Sequence, residues 1–283
     1  MCKHSLLGFL FVITVTCNSH AFADGDSTGD TFFTPPIAAV LKIKTLNGDA
    51  TRSEGTGIAI KGTGGKVLTN CHVLAKAIVV QEGEVDVSEK KAMSVAISAM
   101  RDLCLLTFLR QDEGGIDVTD ALPTVGAPVY ALSYSGGEQN LRVSKGVILA
   151  LYKYDDGYVI RTSAPFSMGA SGGALVDEHG GLVGILTFIL PANNPQNNAY
   201  FAVPASWIKP LLEQSTQEIA PFDAKPFYHK KHLRPNFMKA VWNHTFEHWC
   251  DLLKVAEEWM REAPGDPNAL SFYQEAKIHL KIE

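Results

Sequence analysis

Between residues 37 and 203 the chain breaks into about a dozen short apolar or alternating runs, and no long helical pattern separates them. The runs fall at 37–45, 57–61, 66–69, 77–81, 93–98, 103–109, 128–133, 141–153, 158–162, 174–177, 182–189 and 199–203. Each has the length and residue types of a β-strand. Turn-forming stretches divide them, among them Gly62-Thr63-Gly64-Gly65, Asp155-Asp156-Gly157 and Glu178-His179-Gly180-Gly181. Many short strands without crossover helices must bury their apolar faces against one another, which leaves barrels or sandwiches. With 283 residues the chain is long enough for one large β domain and a smaller appendage.

The two ends read differently. Residues 1–23 have the layout of a secretory signal: Lys3 and His4, an apolar core over 6–16, and Ala21-Phe22-Ala23 as a small-x-small cleavage pattern, so that a mature chain starts near Asp24. That core is too short to span a bilayer, and no later segment is long and apolar enough to do so. Thr16 before Cys17 disfavours a lipoprotein. The expectation is an exported chain with no membrane span after cleavage. Residues 24–35 read as a flexible polar leader. At the other end, 206–214 looks like a closing helix interrupted by Pro210, and 215–235 like a linker. Residues 236–283 form a helical tail, with helix-forming residues at three- and four-residue spacing over 237–263 and again over 268–282. The net charge is −5 with both signs scattered, so nothing argues for nucleic acid. The one basic run, over 229–234, is short and reads as a solvated segment.

Three segments carry chemistry: Thr69-Asn70-Cys71-His72-Val73, Asp102-Leu103-Cys104-Leu105-Leu106 and Gly169-Ala170-Ser171-Gly172-Gly173. A serine hydroxyl needs a base to take its proton and a third group to fix the base's tautomer. His72, Asp102 and Ser171 supply those types, in that order, at spacings of 30 and 69 residues. With Gly55-Thr56-Gly57-Ile58-Ala59-Ile60, Val67-Leu68 and the stretch from Gly169 to Thr187, they make residues 36–214 resemble the trypsin-like serine peptidases, most closely their HtrA-like (Deg) branch. The resemblance implies an all-β fold of two six-stranded antiparallel barrels with the site between them and a seam near 110–127. No segment resembles a PDZ domain, which sets the tail apart from that branch. The Pro-Gly-Asp-Pro-Asn-Ala-Leu junction at 264–270 weakly resembles the boundary between tetratricopeptide repeats. A helical hairpin packed on the barrels is the plainer reading, and a half-repeat that docks a partner protein the sharper one.

The resemblance implies His72 as general base, Asp102 as its orienting carboxylate and Ser171 as nucleophile, with the backbone N–H groups of Gly169 and Ser171 as the oxyanion hole. It also implies a primary substrate pocket walled by Pro165, Phe166, Met168, Thr187, Phe188 and Ile189. No carboxylate lies in 163–168, so cleavage after small or medium apolar residues is expected. Ala170 stands where digestive relatives carry an Asp that pairs with a new N-terminus, so activation by cleavage is not expected. If His72 and Asp102 touch, Cys71 and Cys104 are neighbours and candidates for a disulfide; the other reading is two small buried hydrophobes. Once Cys2 and Cys17 leave with the signal, Cys250 is left unpaired.

Rival patterns fare worse. Gly-x-Ser-x-Gly also occurs at α/β-hydrolase elbows, but there the His follows the Ser, and here a hairpin pattern replaces the helix. His244-Thr245-Phe246-Glu247-His248 matches a zinc-peptidase pattern, yet only 35 residues follow His248, few for such a fold, so neither metal nor cofactor is expected. The reading is an exported serine endopeptidase acting on proteins or peptides. An esterase using the same residues and a silent scaffold acting through the tail are the alternatives. HtrA-like enzymes often form oligomers, though no residue here points to one.

Overall fold

The computed structural model describes residues 34–82, 90–109, 114–119, 121–135, 140–229 and 234–282. The expected signal (1–23), nearly all of the expected leader (24–35) and most of the basic run at 229–234 lie outside them.

Twelve strands form two closed antiparallel barrels of six. The first holds β1 (Val40–Asn47), β2 (Arg52–Ala59), β3 (Lys66–Thr69), β4 (Ala77–Glu82), β5 (Lys90–Ser98) and β6 (Leu103–Phe108), in the order β1-β2-β3-β6-β5-β4. Pairing of β1 with β4 closes it, Thr45 lying opposite Val80. The second holds β7 (Pro128–Ser133), β8 (Arg142–Tyr154), β9 (Gly157–Thr162), β10 (Ala174–Asp177), β11 (Leu182–Leu190) and β12 (Ala199–Pro204), in the order β10-β11-β12-β9-β8-β7. It closes through β7 and β10, Leu132 opposite Ala174. Closure removes the exposed sheet edges that open sheets must protect. Ile43, Val67, Val80, Val95, Leu106 and Phe108 fill the first barrel, and Val129, Ile148, Ile160, Leu175, Leu186 and Ala202 the second. Each valine, leucine, isoleucine or phenylalanine among them, taken fully from water, contributes about 1.5–3 kcal/mol before entropy is counted.

Residues 114–119 lie between the barrels in sequence and touch both: Ile60 bridges to Ile116, and Val118 to Leu182. The tail holds three helices where the periodicity predicts two. They are α3 (Asn236–Thr245), α4 (Trp249–Glu262) and α5 (Pro267–Leu280), after α1 (Cys71–Leu74) and α2 (Ile208–Leu212). Glu247 sits in the left-handed region at φ +57° and breaks the expected long helix, without the glycine or proline that normally signals such a break. Asp266 caps α5 by accepting from the N–H groups of Asn268 and Ala269. Phe237 of α3 stacks on Tyr152 of β8 at 4.8 Å, and Asn268 Nδ2 donates to the Leu151 carbonyl, so the tail is packed on the second barrel.

Cys71 and Cys104 are joined by a disulfide across a sequence separation of 33. Cys250 is not a free thiol. The expectation that it is unpaired is corrected.

Candidate active site

β3 carries the chain outward along the first barrel and releases it at Asn70 into the single turn of α1, whose second residue is His72. A reverse turn with Arg101 N–H on the Ser98 carbonyl and Asp102 N–H on the Ala99 carbonyl brings Asp102 to the start of β6. Asp102 is in the left-handed region at φ +56°, which aspartate tolerates better than most residues. Its carbonyl accepts from Asn70 Nδ2 at 2.8 Å and from the Cys71 N–H at 3.3 Å. These bonds and the disulfide tie the two segments together.

The Asp102 side chain is fully buried and therefore needs donors. Oδ1 accepts from the His72 backbone N–H at 2.9 Å. Oδ2 lies 2.6 Å from His72 Nδ1. On the far side of the ring, Nε2 lies 2.9 Å from Ser171 Oγ. An ionised carboxylate only accepts, so Nδ1 carries the proton in the neutral ring and Nε2 is left to accept from serine. The structure thus brings the three predicted side chains into one hydrogen-bonded line.

Ser171 sits in a turn between 163 and β10. Gly169 adopts φ +92° and Gly172 φ +88°, conformations open to glycine at little cost. A Cβ on Gly172 would lie 2.1 Å from the Thr56 carbonyl oxygen. Among the described residues, no backbone carbonyl takes the N–H of Gly169 or of Ser171. Both remain available to a ligand oxygen. Thr56 of β2 braces this turn from the first barrel: its N–H donates to the Ser171 carbonyl at 2.9 Å and its Oγ1 to the Gly169 carbonyl at 2.9 Å. Tyr134 N–H donates in turn to Thr56 Oγ1 at 3.0 Å. Ala170 is fully buried in the second barrel.

The six residues expected to wall a pocket lie in different surroundings. Pro165 and Phe166 border a cavity of about 300 Å³ together with Ser133, Ser135 and Ser144. Met168 is 86% exposed. Thr187 is buried, donating to the Ile185 carbonyl and accepting from Asn70. Ile189 packs on the second core. Phe188 stacks on Phe201 at 4.6 Å and on Tyr228 at 4.5 Å, which places it in the layer behind the site rather than in a substrate groove.

Two residues at the site had no role in the sequence reading. Thr56 lies in a recognised motif, and its bracing could have been suspected there. Tyr228 lies in the supposed linker. Its hydroxyl donates to Asp102 Oδ2, and its oxygen is 3.2 Å from His72 Nδ1. Burial, reinforced by the Asp102 charge and by the bond to it, pushes the phenol well above the usual tyrosine range. His229 beside it is lowered from the ordinary histidine value, mainly by burial and then by His72. The helical His244 to His248 pattern is split: His244 lies in the last turn of α3 and bonds Glu275 at 2.9 Å, while His248 stands before α4.

Two closed six-stranded barrels with this line of side chains define the trypsin-like class, and residues 55–185 match the family model of the trypsin-like peptidase domain. HtrA-type proteases are among the proteins the chain is similar to. The periplasmic serine endoprotease DegP of Escherichia coli (strain K12) is 30% identical over 179 residues, covering 58% of this chain and 36% of that protein. A probable serine protease do-like from Buchnera aphidicola is 29% identical over 182 residues, covering 59% and 36%. The chain therefore spans about a third of the length of these curated relatives. Among solved structures, the HtrA-type protease AlgW with tripeptide matches with TM-score 0.55 and 27% identity, over 62% of this chain and 61% of that one. The Rv3671c protease from M. tuberculosis in its active form matches in fold, with TM-score 0.57 and 21% identity, over 74% and 99%.

Proposed function

We propose that the chain is a serine endopeptidase that hydrolyses peptide bonds of protein substrates by acyl transfer through Ser171. The observation that carries this is the line Ser171 Oγ–His72 Nε2–His72 Nδ1–Asp102 Oδ2, at 2.9 and 2.6 Å. His72 Nε2 takes the hydroxyl proton as Oγ attacks the substrate carbonyl. Charge developing on the carbonyl oxygen meets the free N–H groups of Gly169 and Ser171; losing one such donor typically costs about 10²–10³ in turnover. The imidazolium then gives its proton to the leaving amine, and water hydrolyses the ester by the same route. Asp102 holds Nδ1–H and balances the transient positive charge.

The expected preference for small or medium apolar side chains before the cleaved bond rests on the absence of a carboxylate in 163–168. The buried disulfide between Cys71 and Cys104 fits an oxidising compartment. Relatives carry the word periplasmic in their names. Together with the signal pattern at the N-terminus, these support export to the periplasm.

The test is labelling by a fluorophosphonate probe together with casein hydrolysis, in wild type and in Ser171→Ala. Labelling and casein cleavage that both vanish in the variant support the reading. Ester hydrolysis that depends on Ser171 without casein cleavage replaces it with an esterase. A wild-type protein that is never labelled ends it.

A further inference from the structure

After α2 the chain does not leave the barrels as a free linker. Gln214 Nε2 donates to the Ile97 carbonyl at 3.0 Å. Gln217 exchanges both backbone bonds with Val95, at 2.9 and 2.8 Å. Phe222 N–H donates to the Ala75 carbonyl and Phe227 N–H to the Met100 carbonyl. Ile219, Phe222 and Ala224 pack on the core of the first barrel. The strap then drives Phe227, fully buried, against Tyr154 at 4.4 Å, and sets Tyr228 behind Asp102. Arg234 Nε holds the Tyr228 carbonyl at 3.2 Å.

We propose that Tyr228 is a positioning residue for the His72–Asp102 pair, its hydroxyl sharing Asp102 Oδ2 with the His72 Nδ1–H. Every other element holding that carboxylate belongs to the first barrel, so this donor is the contribution of the C-terminal strap to the reaction. The inference rests on the reading of Ser171 as nucleophile.

Geometry assigns two effects to the hydroxyl. It fixes the carboxylate plane so that Oδ2 stays in line with Nδ1. It also draws off part of the charge on Oδ2, which leaves less of it to stabilise the imidazolium. Among the described residues, the other charged or titratable groups near the ring are His229 and, through His229, Arg234. None of them bonds Oδ2. Packing alone gives Tyr228 a structural role, since its ring stacks on Phe188; Tyr228→Phe keeps that ring and removes only the donor.

In Tyr228→Phe, the kcat of casein or peptide cleavage is expected to fall about tenfold with KM unchanged, because the carboxylate plane is no longer fixed and Oδ2 drifts out of line with Nδ1. The carboxylate regains charge, the imidazolium is better stabilised, and the acid limb of kcat/KM moves to higher pH by about half a unit to one unit. In parallel, the nitrogen and proton resonances of the His72 ring are followed by NMR as pH is lowered. That readout needs no substrate, so it separates failure of this inference from failure of the peptidase reading. A Tyr228→Phe protein whose His72 titration, acid limb and kcat all equal the wild type overturns the proposal. A lower melting temperature with unchanged His72 titration assigns Tyr228 to packing and overturns it as well.

Discussion

Replacing Asp102 by asparagine is the sharpest test of the site, because the structure dictates which way the amide must face. Oδ1 receives the His72 backbone N–H at 2.9 Å, so the amide oxygen has to occupy that position. The NH₂ then falls where Oδ2 was, facing Nδ1 at 2.6 Å and the Tyr228 hydroxyl. Nδ1 can meet a donor only by giving up its proton. The ring must therefore carry its proton on Nε2, 2.9 Å from Ser171 Oγ, where it can no longer accept from the serine. Turning the amide over sets NH₂ against the backbone N–H and offers no escape. The wrong tautomer and the missing charge together predict a fall of about 10⁴ in kcat/KM, or about 5 kcal/mol of transition-state stabilisation. Folding should survive. Asparagine also tolerates φ near +56°, and loss of charged hydrogen bonds is offset by removal of a buried charge. The melting temperature should move by only a few degrees. The assay is the second-order rate of fluorophosphonate labelling at neutral pH, with Ser171→Ala as the blank. Labelling of a folded Asp102→Asn protein within tenfold of wild type refutes the reasoning.

Three further outcomes are expected. Replacing both Cys71 and Cys104 by alanine should lower stability by about 3–4 kcal/mol, the loop-entropy value for a closure of this length, read by urea denaturation; an unchanged midpoint contradicts the covalent tie. Gly172→Ala combines φ +88° with a Cβ placed 2.1 Å from a backbone oxygen, so labelling should be lost with a large drop in melting temperature, and a fully active variant would count against the turn as described. Phe237→Ala removes a ring that is 1% exposed and stacked on Tyr152, costing about 3–5 kcal/mol; limited proteolysis should then cut between the barrels and α3, and a tail that stays resistant argues against this docking.

The strands were legible because most of the short apolar runs end near glycine, aspartate, asparagine or proline, and local pattern is what such turns record. His72, Asp102 and Ser171 stood out because their neighbours are as constrained as they are. The stacking of Phe188 on Phe201 and Tyr228 was not legible, because β11 is buried along almost its whole length and no alternation marks which way each residue faces. The break at Glu247 carried no glycine or proline to announce it. Tyr228 was invisible because its role depends on a chain that returns to Asp102 from 126 residues away, and no local spacing encodes such a return.

Thr56 has a consequence for how the molecule works as a whole. The serine and its turn belong to one barrel, while the hydroxyl and amide that pin that turn belong to the other. Cutting the chain at the seam would part Ser171 from His72, and it would also let the turn that carries Gly169 and Ser171 lose its shape. Reactivity here is a property of the joint, and anything that wedges the halves apart would silence the serine without touching it.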